Sequence, residues 1–103
     1  MFYATWKPAT DIFYSGNVWL IRMELAGVRA SEIQVAAHRN VLTVRGRRRD
    51  VSVQRGYVCH SLEISYSHFE RSISLPADIN LDSVGWECSD GMLRIQLCTQ
   101  DYQ

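Results

Sequence analysis

The chain has 103 residues, 47% of them apolar and 21% charged, with a formal net charge of zero at neutral pH and a sequence pI near 6.8. That length predicts one domain with a modest core, burying roughly 60–70% of its unfolded surface. Zero net charge excludes a global field that gathers nucleic acid or an anionic membrane, and no apolar run approaches the ~20 residues needed to span a bilayer.

Met1 to Asp11 holds no basic segment followed by an apolar run, so no secretory signal is expected. From there the dominant period is two, which predicts strands. In Val18 to Leu25, Trp19, Ile21, Met23 and Leu25 fall on one face and Arg22 and Glu24 on the other. Ala26-Gly27 breaks that strand. Ser31-Glu32 has the look of a helical start, but Ile33, Val35 and Ala37 alternate with Gln34 and Ala36, which favours a strand. Arg39-Asn40 is a short turn signal, and Val41 to Arg45 completes a hairpin.

Gly46 is expected to end this strand. Residues 46–56, bounded by Gly46 and Gly56, read as a basic loop with Val51 and Val53 alternating inside. Tyr57 to Tyr66 alternates again, with Val58, Leu62, Ile64 and Tyr66 in register, and predicts a strand. Phe69, Arg71, Ile73 and Leu75 form another, which Pro76 stops by removing a donor. Ala77 to Leu81 is a connector. Val84, Trp86 and Cys88 alternate, Asp90-Gly91 supplies the positive-φ residues of a hairpin turn, and Leu93, Ile95 and Leu97 close the series. Many short strands at roughly 8–12-residue spacing, without helical stretches, predict an all-β antiparallel sandwich.

Charge is unevenly placed. Residues 39–55 carry six arginines against Asp50, a net of +5 that leaves −5 for the rest of a neutral chain. Opposite patches on one molecule, with weak repulsion between copies, favour self-association. The run Arg45-Gly46-Arg47-Arg48-Arg49 has no interleaved aromatic platform for bases, so an interchain salt-bridge role is expected in place of nucleic-acid binding. Cys59, Cys88 and Cys98 are an odd set with no Cys-x-x-Cys spacing, which predicts free thiols and a cytoplasmic protein. His38, His60 and His68 lack metal-ligand spacing. His60 beside Cys59 lies on the opposite face of a strand, which makes a poor catalytic dyad. With no phosphate loop, nucleophile elbow or paired acids in a recognisable frame, neither enzyme chemistry nor a cofactor is expected. Trp19, Trp86 and Phe69 are expected in the core.

Six pieces now stand in order: Trp6-x-Pro8-x-x-Asp11-Ile12, Glu24-Leu25-Ala26-Gly27-Val28, Ser31-Glu32-Ile33-x-Val35, Asn40-x-Leu42-x-Val44-x-Gly46, Phe69-x-Arg71-x-Ile73-x-Leu75-Pro76 and Asp90-Gly91-Met92-Leu93. Each alone is weak. In this order, across residues 6–97, they resemble the α-crystallin domain of small heat-shock proteins. Residues 1–5 and 98–103 then flank the domain. Three features depart from the family pattern: a short segment ahead of the domain, no Ile-x-Ile tail, and Trp86 where a small residue is usual.

The resemblance implies an immunoglobulin-like β-sandwich that dimerises and holds unfolding proteins without ATP. It implies that the loop at 46–56 adds a strand to a partner's edge near Asp11 to Tyr14. The expected dimer residues are therefore Asp11, Ile12, Phe13, Val51, Val53 and Arg71. Arg71 falls at the family's dimer-interface arginine, and its place among apolar same-face residues calls for a carboxylate partner. The expected client groove comprises Ile33, Val35, Val84, Trp86 and Cys88. The three departures weigh against large oligomers. Two functions from different classes follow. One is an ATP-independent holdase working as a homodimer or higher oligomer. The other is a monomeric interaction module of the CS-type co-chaperone kind.

Overall fold

A computed structural model describes residues 6–49, 55–64 and 67–100. Among these residues seven strands run in chain order: β1 Thr10–Ser15, β2 Val18–Glu24, β3 Ile33–His38, β4 Val41–Arg47, β5 His68–Ser74, β6 Gly85–Ser89 and β7 Met92–Cys98. They form an antiparallel sandwich of two sheets, one ordered β1-β2-β7-β6 and the other β3-β4-β5.

Alternation explains the layers. Ile21 and Met23 of β2 pair in register with Ile95 and Leu93 of β7, and all four are fully buried. Leu42 and Val44 of β4, with Phe69 and Ile73 of β5, supply the facing layer. Successive residues of a strand point to opposite faces, so these side chains meet while their neighbours stay wet. Both predicted turns form. Arg39 has φ 56°, and Asp90 and Gly91 have φ 52° and 75°, the left-handed geometry that a two-residue hairpin needs. The connector after β5 is tied down on the β3–β4 turn: Asn40 donates through Nδ2 to the Leu75 carbonyl, and the Leu75 N–H donates back to the Asn40 carbonyl.

The strand read from Ile33, Val35 and Ala37 forms, and a single 3-10 turn at Ala30–Glu32 leads into it. Four expectations are corrected. Gly46 does not end β4 but lies inside it, opposite Phe69. Here the missing side chain is a packing requirement and not a break, because Phe69's ring and the Glu32 carbonyl fill the space. The excursion between the sheets' strands is correspondingly longer than residues 46–56, running from the end of β4 at Arg47 to the start of β5 at His68. The strand expected over Tyr57 to Tyr66 is absent from its described part, residues 57–64. An alternating segment becomes a strand only when it finds an edge to pair with, and none of the seven strands takes it. Trp86 is also no core residue: it is 39% exposed at the end of the β6 edge, whereas Phe69 is buried and Trp19 half-buried.

Candidate functional site

Each sheet ends in two edge strands, and the expected site residues that are described lie on them or, for Val84, directly ahead of one. β1 pairs only with β2, leaving its other edge open among the described residues. Asp11 and Phe13 stand on the solvent face of this sheet, in register with Arg22 and Leu20, while Ile12 turns inward beside Ile21. Ile12 and Phe13 remain 42% and 49% exposed. A solvent-exposed apolar edge of this kind is the usual template for pairing with another chain.

Arg71 sits on the edge strand of the second sheet. Its register partner Val44 is fully buried, so its side chain leaves β5 on the inward face, between Phe69 and Ile73. It is half-buried, and among the described residues no carboxylate lies within ion-pair distance. Val51 and Val53 lie outside the described residues.

The expected groove residues divide. Val35, Val84 and Cys88 are half-buried and pack against the core, Trp86 is exposed on β6, and Ile33 is buried in the core itself. The first four present apolar surface at the β3 and β6 edges, and Ile33 presents almost none.

Three arginines of the basic run, Arg45, Arg48 and Arg49, have side-chain partners within the chain. Arg45 pairs with Glu70 at 3.1 Å, across β4 and β5, and Arg49 pairs with Glu32 at 2.6 Å. Within the single chain these two arginines already have acids, since the turn at 30–32 and β5 bring them within reach.

Two features went unread in the sequence. The first is residues 55–64, which leave the sandwich as an arm. Tyr57, Val58, Leu62 and Ile64 are 69%, 90%, 76% and 61% exposed. Single exposed apolar residues are ordinary, but four in eight positions form a contiguous sticky segment. Their alternation was visible as a strand signal, and their lack of a partner was not. The second is a stack at the base of this arm. Phe69's ring lies against Gly46, and Trp6 meets Phe69 edge-on at 5.4 Å between ring centres. Arg48 lies 3.9 Å over the Trp6 ring and donates through Nη1 to the Ala26 carbonyl. Trp6, Ala26, Gly46 and Phe69 each stood in a separate motif of the sequence, and they meet only in three dimensions.

Cys59 is exposed, Cys88 and Cys98 are half-buried, and all three are free thiols. Among the described residues no group of three or more His, Cys, Asp or Glu is placed to hold a metal ion, and no helix is long and apolar enough to cross a membrane.

Comparison with known proteins agrees with this geometry. Residues 11–103 match the model of the Hsp20/alpha crystallin family. The chain is 32% identical over 90 residues to small heat shock protein C2 of Rickettsia felis, covering 87% of this chain and 58% of that protein. It spans a little over half the length of the curated relatives it matches. Among solved structures, heat shock protein 16.0 from Schizosaccharomyces pombe superposes with a TM-score of 0.82 at 25% identity, over 95% of this chain and 94% of that one. A small heat-shock protein from Xylella fastidiosa, described as having a distinct high order structure, gives 0.80 at 25% identity over 97% and 92%.

Proposed function

The chain belongs to the Hsp20/alpha crystallin family, small heat-shock proteins known as ATP-independent chaperones, and on that premise we propose that it is itself a holdase. It binds unfolding proteins through exposed apolar surface, prevents their aggregation, and works as a homodimer or somewhat larger assembly. It needs neither ATP nor bond chemistry.

The observation that carries this reading is the apolar arm at 55–64 on a chain whose β1 edge is open. An extended segment that adds to an edge strand gains main-chain hydrogen bonds, and its alternate side chains gain burial. In a strand, Val58, Leu62 and Ile64 share one face. Placed on a partner's β1, that face covers Ile12 or Phe13 and removes apolar surface that both copies otherwise leave wet. Arg71, half-buried and without an acid among the described residues, then takes a carboxylate from the partner copy. An unpaired charge in that position is costly, which favours assembly over the isolated chain.

Client capture uses the same physics. Unfolding proteins expose apolar segments and unpaired strand edges. Val35, Val84, Trp86 and Cys88 offer apolar surface along the β3 and β6 edges. We place the protein in the cytoplasm, a reading supported by three free thiols.

The test is light scattering of a heat-labile enzyme warmed with and without the protein, in the absence of ATP, with size-exclusion chromatography of the same sample. Suppressed scattering by a dimeric or larger species is the expected result. A folded monomer that leaves scattering unchanged would sink the holdase reading and favour an adaptor of the CS-type co-chaperone kind.

A further inference from the structure

We propose that Trp6 and Arg48 are positioning residues for the arm: together they set the direction in which it leaves the sandwich, and so couple the segment ahead of β1 to self-assembly. This inference rests on the strand-exchange reading above.

The arm has a defined base. The Arg48 N–H donates to the Ser67 carbonyl at 3.1 Å, which carries the β4–β5 ladder one rung past Arg47 and His68. Both ends of the excursion therefore leave from one point. At that point the Arg48 side chain does not run into solvent. It folds over the Trp6 ring at 3.9 Å, and its Nη1 donates to the Ala26 carbonyl at 3.0 Å. Trp6 is held in turn, by its N–H donating to the His68 carbonyl at 2.9 Å and by its edge-on contact with buried Phe69.

Arg48 is thus the first side chain of the loop and the cover of Trp6. A planar guanidinium suits both contacts at once: its face lies on the indole while an edge N–H reaches the carbonyl. The clamp joins four parts of the chain, namely the lead into β1, the turn after β2, the end of β4 and the start of β5. Trp6 packs onto the core through Phe69, while the contacts of the Arg48 side chain lie outside it. Its consequence is directional. An arm that leaves at a fixed angle loses less freedom when it docks on a partner edge than one that swings from a loose base. A change that lifts Trp6 takes away the ring on which Arg48 rests, loosens the arm and weakens the exchange.

The experiment uses the full chain and compares Arg48→Gln, Arg48→Lys, Trp6→Leu and the Arg48→Gln/Trp6→Leu double variant. Sedimentation equilibrium reads the dimer dissociation constant. Anisotropy of a dye on Cys59, in a Cys88→Ser/Cys98→Ser background, reads arm motion. Arg48→Gln is expected to weaken dimerisation roughly tenfold and to lower the anisotropy, with Arg48→Lys close to it. The double variant should be no worse than the more severe single one, because both remove one contact. Should Trp6→Leu fail to fold, Arg48→Gln alone decides, since its side chain lies outside the core. An unchanged dissociation constant and anisotropy for Arg48→Gln, or strictly additive effects, would overturn the inference. Leu62→Asp in the same assay separates the two ideas. If it leaves the dimer intact, the exchange reading fails and the clamp with it. If it breaks the dimer while Arg48→Gln does not, the clamp alone is wrong.

Discussion

A Cβ placed on Gly46 would stand 2.7 Å from Cζ of Phe69, its register partner across β4 and β5, and 2.3 Å from the Glu32 carbonyl oxygen. Neither neighbour is free to yield, since Phe69 is buried and Glu32 closes the turn that starts β3. Glycine is therefore required at this position for packing, in a residue whose backbone is ordinary strand.

Gly46→Ala should destabilise the fold by about 1–3 kcal/mol, the usual cost of overpacking. Each kcal/mol lowers the melting temperature of a domain this size by roughly 4–8 °C. Gly85→Ala is the control, because a Cβ there meets nothing within 4 Å, and its effect should stay within about 0.5 kcal/mol. Thermal unfolding followed by circular dichroism checks both. Equal melting temperatures for the two variants would mean that Phe69 and the turn relax more readily than their burial suggests.

The β6–β7 turn makes a second backbone prediction. Gly91 has φ 75°, and an added Cβ would lie 3.3 Å from the Ala26 Cα. Gly91→Ala should cost about 1–2 kcal/mol from the left-handed geometry alone. Asp90→Asn, at φ 52°, should be tolerated within about 0.5 kcal/mol, since asparagine and aspartate both visit this region.

Proline in the arm separates the two segments that compete for the exchange role. Val58→Pro/Leu62→Pro removes two main-chain donors from the arm and should leave a folded monomer. Val51→Pro/Val53→Pro, upstream of it, should retain the dimer. Sedimentation velocity distinguishes the species. The reverse pattern would return the pairing strand to residues 51–53.

Arg71→Leu should keep the melting temperature of the isolated chain, because a half-buried charge gives way to an apolar side chain on an inward face. It should also weaken dimerisation by ~2 kcal/mol, about thirtyfold in dissociation constant, by leaving the partner's carboxylate unpaired. A dimer of unchanged affinity would show that Arg71 has no role between copies.

The Arg45–Glu70 pair is more than half exposed on both sides. Glu70→Gln should accordingly shift stability by no more than about 0.5 kcal/mol, less at high salt. A larger loss, read by urea unfolding, would mean the pair orders the strand end below the arm.

Much of this protein is legible in its sequence by itself. Alternation is a local property: Ile21, Met23 and Leu25, or Leu93, Ile95 and Leu97, declare a buried face without reference to anything distant, and all six are fully buried. Asp90-Gly91 and Arg39-Asn40 declare their turns by backbone chemistry alone. Six ordered motifs declared the family. What tertiary structure decided was everything that depends on a second piece of chain. Tyr57 to Ile64 carries a strand's pattern, yet a strand exists only opposite another, and no edge of the two sheets takes it up. Gly46 has the look of a stop, yet it is a gap kept for the ring of Phe69, twenty-three positions away in sequence and in register with it only because β4 and β5 pair. Arg48 has the look of one more charge in a solvated run, and the approach of Trp6 and Ala26 draws its guanidinium onto the sandwich. Local pattern reports which face a residue prefers, while long-range pairing decides what that face meets.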